Sequence, residues 1–305
     1  MPFNTLNTIA KLPKKIVTRQ YIAVGLNPNI IVSSTDGITW IKRQNNFNSI
    51  CENVAYGKNA SGIGLWVAMG YDNPLMSTST DGITWNNVSL SSITYGRGVA
   101  YGKNDSNTGL WVATGSIGAT SIITSSNGTE WTNVTNRGGI GTGRGVAYGK
   151  NDSNTGLWVI VGDGAGYNKI ATSPNGTNWT GVTGTNNGGI NDGGLGVAYG
   201  KDANGVGLWV AVGYGANTIA TSTNGTNWTG VTGTNNGGIS AGQKVAYGKD
   251  ANNDGLWVVV GNGANTIATS TNGTNWTGVT GTKNGGLTSG YAVTFEKILY
   301  EDIFI

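Results

Sequence analysis

The sequence predicts an all-β protein, a six-bladed β-propeller of four-stranded antiparallel blades with its ring closed by the C-terminal strand. Three observations predict it. The chain repeats itself with a period of about 45–49 residues, the length of one four-stranded blade. Each repeat carries an Asp-Gly or Asn-Gly pair, a strong hairpin signal because both residues tolerate positive φ. No stretch shows 3.6-residue apolar periodicity, so almost no helix is expected.

The repeat is plainest near the C-terminus. Residues 218–239 and 266–287 differ only at Asn235/Lys283 and Ile239/Leu287. Three markers run back from there. Val-Ala-Tyr-Gly opens at Val54, Val99, Val146, Val197 and Val245. Leu-Trp follows, with the tryptophan twelve residues after the valine: Trp66, Trp111, Trp158, Trp209 and Trp257. A second set, Trp40, Trp85, Trp131, Trp179, Trp228 and Trp276, completes the 11 tryptophans of the chain. Both sets read as blade core. In the fifth repeat the expected strands are 196–200, 208–213 and 218–222, with a fourth starting at Trp228.

The turn before the second tryptophan is the most diagnostic element. It uses Asp36 and Asp81 in the first two repeats, then Asn127, Asn175, Asn224 and Asn272. The Asx oxygen is suited to accept hydrogen bonds from its own turn. Exchange of Asp for Asn within one chain argues for a structural role, since a metal or acid–base site would not tolerate loss of the charge.

Ser-x-Asp-Gly-x-Thr-Trp resembles the Asp-box, or BNR repeat, of sialidase-like propellers, with one residue fewer between Asp and Gly than the commonest form. The flanking phrases, as in Val245–Gly248 and Leu256–Gly261, resemble those of bacterial and giant-virus repeat proteins. Photosystem II assembly factors and xyloglucanases are similar in using Asp-boxes. The resemblance spans residues 16–296 and implies the propeller fold, with ligands on the face formed by the b–c and d–a loops. The Arg-Ile-Pro signature of sialidases is absent. Fold resemblance of this kind does not specify function.

Residues 1–15 read as an N-terminal extension and 16–305 as one propeller domain. The first repeat has strands b, c and d, with Tyr21 in place of the first tryptophan. Two segments compete for its strand a. Tyr291–Phe295 places Val293 48 residues after Val245; Ile9–Leu12 lies twelve residues before Tyr21. The C-terminal strand fits better, because Val-x-Phe matches Val-x-Tyr.

Composition narrows the function. Charged residues make up 11% and the net charge is +3, without long basic runs; no nucleic-acid partner is expected. The single Cys51 excludes an intrachain disulfide. There is no histidine, the commonest general base and zinc ligand. Met1–Lys15 lacks an apolar signal-peptide core, and no apolar run is long enough for a membrane span. The expectation is a cytoplasmic or particle-associated protein. The sequence sets no oligomeric state.

Three candidate sites stand out. Arg97 and Arg144 sit two residues before the inner-strand valine, where other repeats have Glu52, Leu195, Gln243 and Tyr291. This ring suits the mouth of the pore, where a carboxylate would lie across the two arginines; the plainer reading pairs Glu52 with Arg97. Tyr71, Tyr167 and Tyr214 lie in glycine-rich b–c loops and suit a sugar face. Asp250, Asn252 and Asp254 offer oxygens to calcium, against the plainer reading of a turn; no other cofactor is indicated. With no convincing catalytic set, the expected protein is a non-enzymatic, lectin-like binding module for a glycan or protein. The alternatives are a self-assembling structural component and, last, a degenerate glycoside hydrolase.

Overall fold

The computed structural model describes residues 20–25, 31–36, 38–44, 47–48, 50–71, 73–90, 93–116, 121–163, 167–250, 252–290 and 293. They form an all-β propeller arrangement of successive antiparallel units. Unit 1 holds β1 (Tyr21–Val24), β2 (Ile31–Ser34) and β3 (Ile41–Lys42). Unit 2 holds β4 (Cys51–Lys58), β5 (Gly64–Gly70), β6 (Met76–Ser79) and β7 (Asn86–Val88). Unit 3 holds β8 (Tyr95–Lys103), β9 (Gly109–Ser116), β10 (Ile122–Ser125) and β11 (Thr132–Asn133). Unit 4 holds β12 (Thr142–Lys150), β13 (Gly156–Asp163), β14 (Ile170–Ser173) and β15 (Thr180–Gly181). Unit 5 holds β16 (Gly193–Lys201), β17 (Gly207–Tyr214), β18 (Ile219–Ser222) and β19 (Thr229–Gly230). Unit 6 holds β20 (Ile239–Lys249), β21 (Gly255–Gly263), β22 (Ile267–Ser270) and β23 (Thr277–Gly278).

Units 2, 3 and 6 are separate four-stranded sheets. Units 4 and 5 join into one eight-stranded sheet through a single pairing, Asp163 with Gly193. Unit 1 shows three strands. Of the two segments expected to complete it as the sixth blade, Ile9–Leu12 and all of Tyr291–Phe295 except Val293 lie outside the described residues.

The spacing of the repeat explains how neighbouring units join. In β4, β8, β12, β16 and β20 each Val-Ala-Tyr-Gly-Lys segment sits beside the next in order. The tyrosine of one unit fills the place where a side chain on the preceding unit's glycine would stand: a Cβ on Gly57 would meet Tyr101 Cγ at 2.2 Å, and Gly102, Gly149 and Gly200 receive Tyr148, Tyr199 and Tyr247 at the same distance. The same tyrosine packs on its own unit's tryptophan, with ring centroids 4.8–4.9 Å apart. That tryptophan reaches back in turn. The indole N–H groups of Trp111, Trp158, Trp209 and Trp257 donate to the carbonyls of Lys58, Lys103, Lys150 and Lys201 at 2.8–2.9 Å. A buried indole N–H needs such an acceptor.

The Asx-Gly turns form as expected, and Asp and Asn do the same work in them. Oδ1 of Asp81 accepts from the backbone N–H groups of Ile83 and Thr84; Oδ1 of Asn224 accepts from those of Thr226 and Asn227, all at 2.8–2.9 Å. A serine two residues earlier accepts from the glycine N–H, as Ser222 does from Gly225. Gly82, Gly128, Gly176, Gly225 and Gly273 all have positive φ.

Several expectations need correction. The outer strands begin one residue after the tryptophan, at Thr229 rather than Trp228. Short 3-10 turns occupy Gly184–Asn186, Gly233–Asn235 and Gly281–Asn284, a little helix where almost none was expected. Trp179, Trp228 and Trp276 are buried and donate to their own turn glycine carbonyls. Trp40 is 41% exposed and is not the buried anchor that its position in the repeat suggests.

Two predictions follow from these contacts. Trp228→Ala should cost about 3–5 kcal/mol in urea unfolding, whereas Trp40→Ala should cost clearly less because its ring is already partly in water. Backbone N–H donors hold the Asp36 and Asp81 carboxyls below the usual carboxylate range, Thr39 before Ile38 for the first and Thr84 before Ile83 for the second. Their contribution is therefore complete above the ordinary carboxylate pKa and is lost as pH falls through the lowered one. Acidification should lower the amide-exchange protection factors of Ile83 and Thr84 before those of Thr226 and Asn227, and Asp81→Asn should abolish the difference.

Candidate ligand site at the pore mouth

The site rests on an irregularity repeated five times. Near the start of β4, β8, β12, β16 and β20 the ladder to the next strand skips one residue: Glu52, Arg97, Arg144, Leu195 and Gln243 respectively. These are the positions aligned by the sequence repeat. Each is the extra residue of a β-bulge, which leaves the ladder and lets its side chain be re-aimed. Sequence spacing found the ring of residues; it did not find the bulges, because the extra residue shows only when the two strands are paired.

The bulges bring charge together. An Nη of Arg97 donates to the Tyr71 hydroxyl at 2.6 Å, and the guanidinium carbon lies 5.3 Å from the Tyr71 ring centre. The Glu52 carboxylate also acts on the Tyr71 phenol. Burial first, then the Glu52 charge and hydrogen bond, raise the phenol above its ordinary value, with Arg97 and Arg144 opposing. Tyr71 is thus the residue that meets Arg97 directly and feels the Glu52 charge. Arg144 pairs instead with Asp163, its Nε donating to Oδ2 at 2.7 Å. Asp163 was missed by the sequence reading, since it ends β13 and nothing in the repeat marks it.

Lys244 was missed as well. It stands next to the bulged Gln243, where units 3, 4 and 5 have Gly98, Gly145 and Gly196. Those glycines are packed closely against the next inner strand: a Cβ on Gly196 would lie 2.9 Å from Lys244 Cα. The Lys244 ammonium reaches towards the Arg144 carbonyl, 3.5 Å away. Burial pushes its pKa below the ordinary value; Glu52 opposes this, and Arg97 and Arg144 add to it. The Arg97 Nε is buried without a hydrogen-bond partner. Arg97, Arg144 and Lys244 therefore face Glu52 and Asp163, with cationic character in excess.

Tyr71 and Tyr95 adjoin the charge cluster. Tyr71 meets Tyr95 edge-on at 5.3 Å. Tyr95 is 46% exposed, Tyr167 52% and Tyr214 36%. Tyr167 lies over Gly141 and Tyr214 over Gly193, each occupying the space a Cβ would need. Tyr95, at the start of β8, is an aromatic that the sequence reading passed over. The calcium candidate lies at the other end of the inner strand, in a turn. Asp250 Oδ1 accepts from the N–H groups of Asn252 and Asp254, a turn built like that of Asp202 in the preceding unit. Among the described residues no three His, Cys, Asp or Glu come together as a metal-ligating group.

A scan against protein-family models finds no match, and a search of curated proteins finds none. Among solved structures the chain is similar to a GH74 enzyme of Niastella koreensis, with 18% identity, 87% of this chain and 38% of that one covered, and a TM-score of 0.54. It is also similar to the extracellular domain of a putative hybrid two-component system of B. thetaiotaomicron (12% identity, 91% and 35% covered, TM-score 0.52). A third is an auxiliary nutrient binding protein of Bacteroides thetaiotaomicron (9% identity, 79% and 63% covered, TM-score 0.51). The chain spans less than two thirds of each of these proteins. At such identities the likeness shows the fold, a β-propeller. It also corrects the expectation of a non-enzymatic chain, because an enzyme and a binding protein both stand among the propellers it resembles. The lack of histidine is no obstacle in itself, because carboxylates and tyrosines also do acid–base and nucleophilic work.

The charge cluster generates a test. Because the Lys244 pKa is lowered in the fold, the unfolded chain holds that proton more tightly, and the folded state is penalised at neutral pH. Lys244→Met should raise the melting temperature by about 2–4 °C, roughly 1 kcal/mol, the usual sign when a desolvated cation is replaced by an apolar chain. A fall in melting temperature would mean that Lys244 is fully compensated where it stands.

Proposed function

We propose that this protein is an Asp-box propeller that binds an acidic glycan at its pore mouth. The observation that supports this reading is the set of β-bulges, which turn Glu52, Arg97, Arg144 and Gln243 out of the ladder at one end of the pore and leave Lys244 beside them. Cations in excess suit a carboxylate on the sugar. Tyr71, Tyr95, Tyr167 and Tyr214 supply the apolar ring faces on which sugars stack, with hydroxyls at their edges. The pore mouth and these loops share one face, so one ligand spans both.

Screening a panel of neutral and uronate-containing oligosaccharides tests this. Binding should favour the acidic members, weaken with salt, and fall at least tenfold for Arg97→Gln, about the worth of one charge-assisted hydrogen bond. Equal binding of neutral sugars, or no effect of Arg97→Gln on an acidic one, would overturn the proposal.

The ring in this reading has six blades, with unit 1 completed from the C-terminus. Val293, Phe295 and Lys297 repeat the spacing of Val245, Tyr247 and Lys249. This trio supplies two of the inner-strand contacts, the aromatic for the preceding unit's glycine and the lysine carbonyl for the next unit's tryptophan, while Glu296 stands where the other inner strands have the notch glycine. Removing residues 291–305 should sharply lower the melting temperature. An unchanged melting curve would assign the slot to Ile9–Leu12.

A further inference from the structure

Nine Asn-Gly pairs punctuate the chain, at Asn127, Asn175, Asn187, Asn204, Asn224, Asn236, Asn262, Asn272 and Asn284. Asn-Gly is chemically labile because glycine has no side chain to hinder its backbone nitrogen. That nitrogen, after losing its proton to solvent base, attacks the asparagine Cγ. The bond from Cγ to the amide nitrogen breaks and ammonia leaves. Water then opens the cyclic imide to aspartate or isoaspartate. The reaction needs a free side chain and a free glycine N–H, and the fold treats the nine sites differently.

The four turn asparagines are held on both sides. Oδ1 of Asn127, Asn175, Asn224 and Asn272 accepts from the N–H groups two and three residues ahead, at 2.9–3.0 Å. The glycine N–H that would have to attack donates to the serine hydroxyl at 2.8–2.9 Å. Asn187, Asn236 and Asn284 each accept from the glycine N–H two residues on, at 2.9 Å. Asn262 lies within β21 and accepts from the Ser289 hydroxyl.

Asn204 differs from all of them in its side chain, although open space at the following glycine is shared with Gly285. Its side chain makes no hydrogen bond among the described residues and is exposed, in the turn between β16 and β17. The space around Gly205 is open, with nothing within 4 Å of an added Cβ. A single bond, from the Gly205 N–H to the Asp202 carbonyl at 3.0 Å, restrains the attacking nitrogen. We propose that Asn204 is the site at which this chain spontaneously deamidates, and that the Ser-x-Asn-Gly turns protect the asparagines most often repeated in it. The inference does not depend on the ligand-binding reading.

Incubating the folded protein in neutral buffer and mapping its peptides by mass spectrometry tests this. Asn204 should convert from amide to acid first, with the four turn asparagines at least about tenfold slower, because they must break two or more extra hydrogen bonds to react. In urea all nine should convert at comparable rates. Asn204→Gln should remove the native-state conversion. Ser222→Ala, which frees the Gly225 N–H, should make Asn224 a second site in the folded protein. Native conversion of the turn asparagines as fast as Asn204, or an Asn204 that stays intact while unfolded chains react, would overturn the proposal.

Discussion

The propeller depends on one contact made at every described seam between four-stranded units: the inner-strand tyrosine of one unit lying in the glycine notch of the unit before it. The notch exists only because the residue after each Val-Ala-Tyr is glycine, and a methyl group there would overlap the neighbouring ring. That overlap sets the distance between inner strands. The tryptophan behind the tyrosine then closes the seam with its bond to the preceding lysine carbonyl. Tyrosine, glycine, lysine and tryptophan therefore recur together because each completes a contact begun by a residue in the next unit. A repeat of this kind is stable only in company, since a single unit offers a notch without a ring or a ring without a notch.

The same closeness shapes the candidate site. Inner strands packed at glycine distance leave little room for side chains in the pore, so a functional residue there must escape the ladder. The bulge does this without breaking the seam, because the tyrosine notch lies further along the strand. Units 3, 4 and 5 keep glycine beside the bulge; unit 6 has Lys244 and unit 2 has Asn53. The pore is thus asymmetric where the repeat is otherwise closest to regular. Charge enters through positions that packing leaves free: Arg97, Arg144, Glu52 and Lys244. The lowered pKa of Lys244 and the unpartnered Arg97 Nε mark a place where the fold tolerates cost, as binding sites often do.

Much of the fold was legible in the sequence because each seam contact is local in pattern although distant in space. Val54, Val99, Val146, Val197 and Val245 align the strands, and the Asx-Gly pairs fix the outer turns. The site was legible only in part. Arg97 and Arg144 could be aligned, since they share a position relative to those valines. Their partners could not. Tyr71 follows β5 and meets Arg97 across two units, which depends on how the sheets pack; Asp163 ends β13 in the same unit as Arg144, at a position the repeat does not mark. Lys244 looked like one substitution in a degenerate repeat; its meaning appears only beside the glycines that replace it elsewhere. Trp40 shows the converse failure, a residue in register whose surroundings differ.

The turns show how strictly the fold separates charge from shape. Asp81 and Asn224 accept the same two backbone N–H groups at the same distances, so the amide and the carboxylate are interchangeable as acceptors. They differ in what else they bring. The carboxylate is drawn down in pKa by those donors and gives the turn a dependence on acid. The amide carries no such dependence, but it brings a labile side chain next to glycine. The serine that accepts the glycine N–H is present with both. With Asp81 it completes the turn; with Asn224 it also occupies the nitrogen that would attack. One conserved geometry within the chain thus serves two chemistries, and the exchange of Asp for Asn along the repeats is neutral for shape while changing how each turn responds to pH and to time.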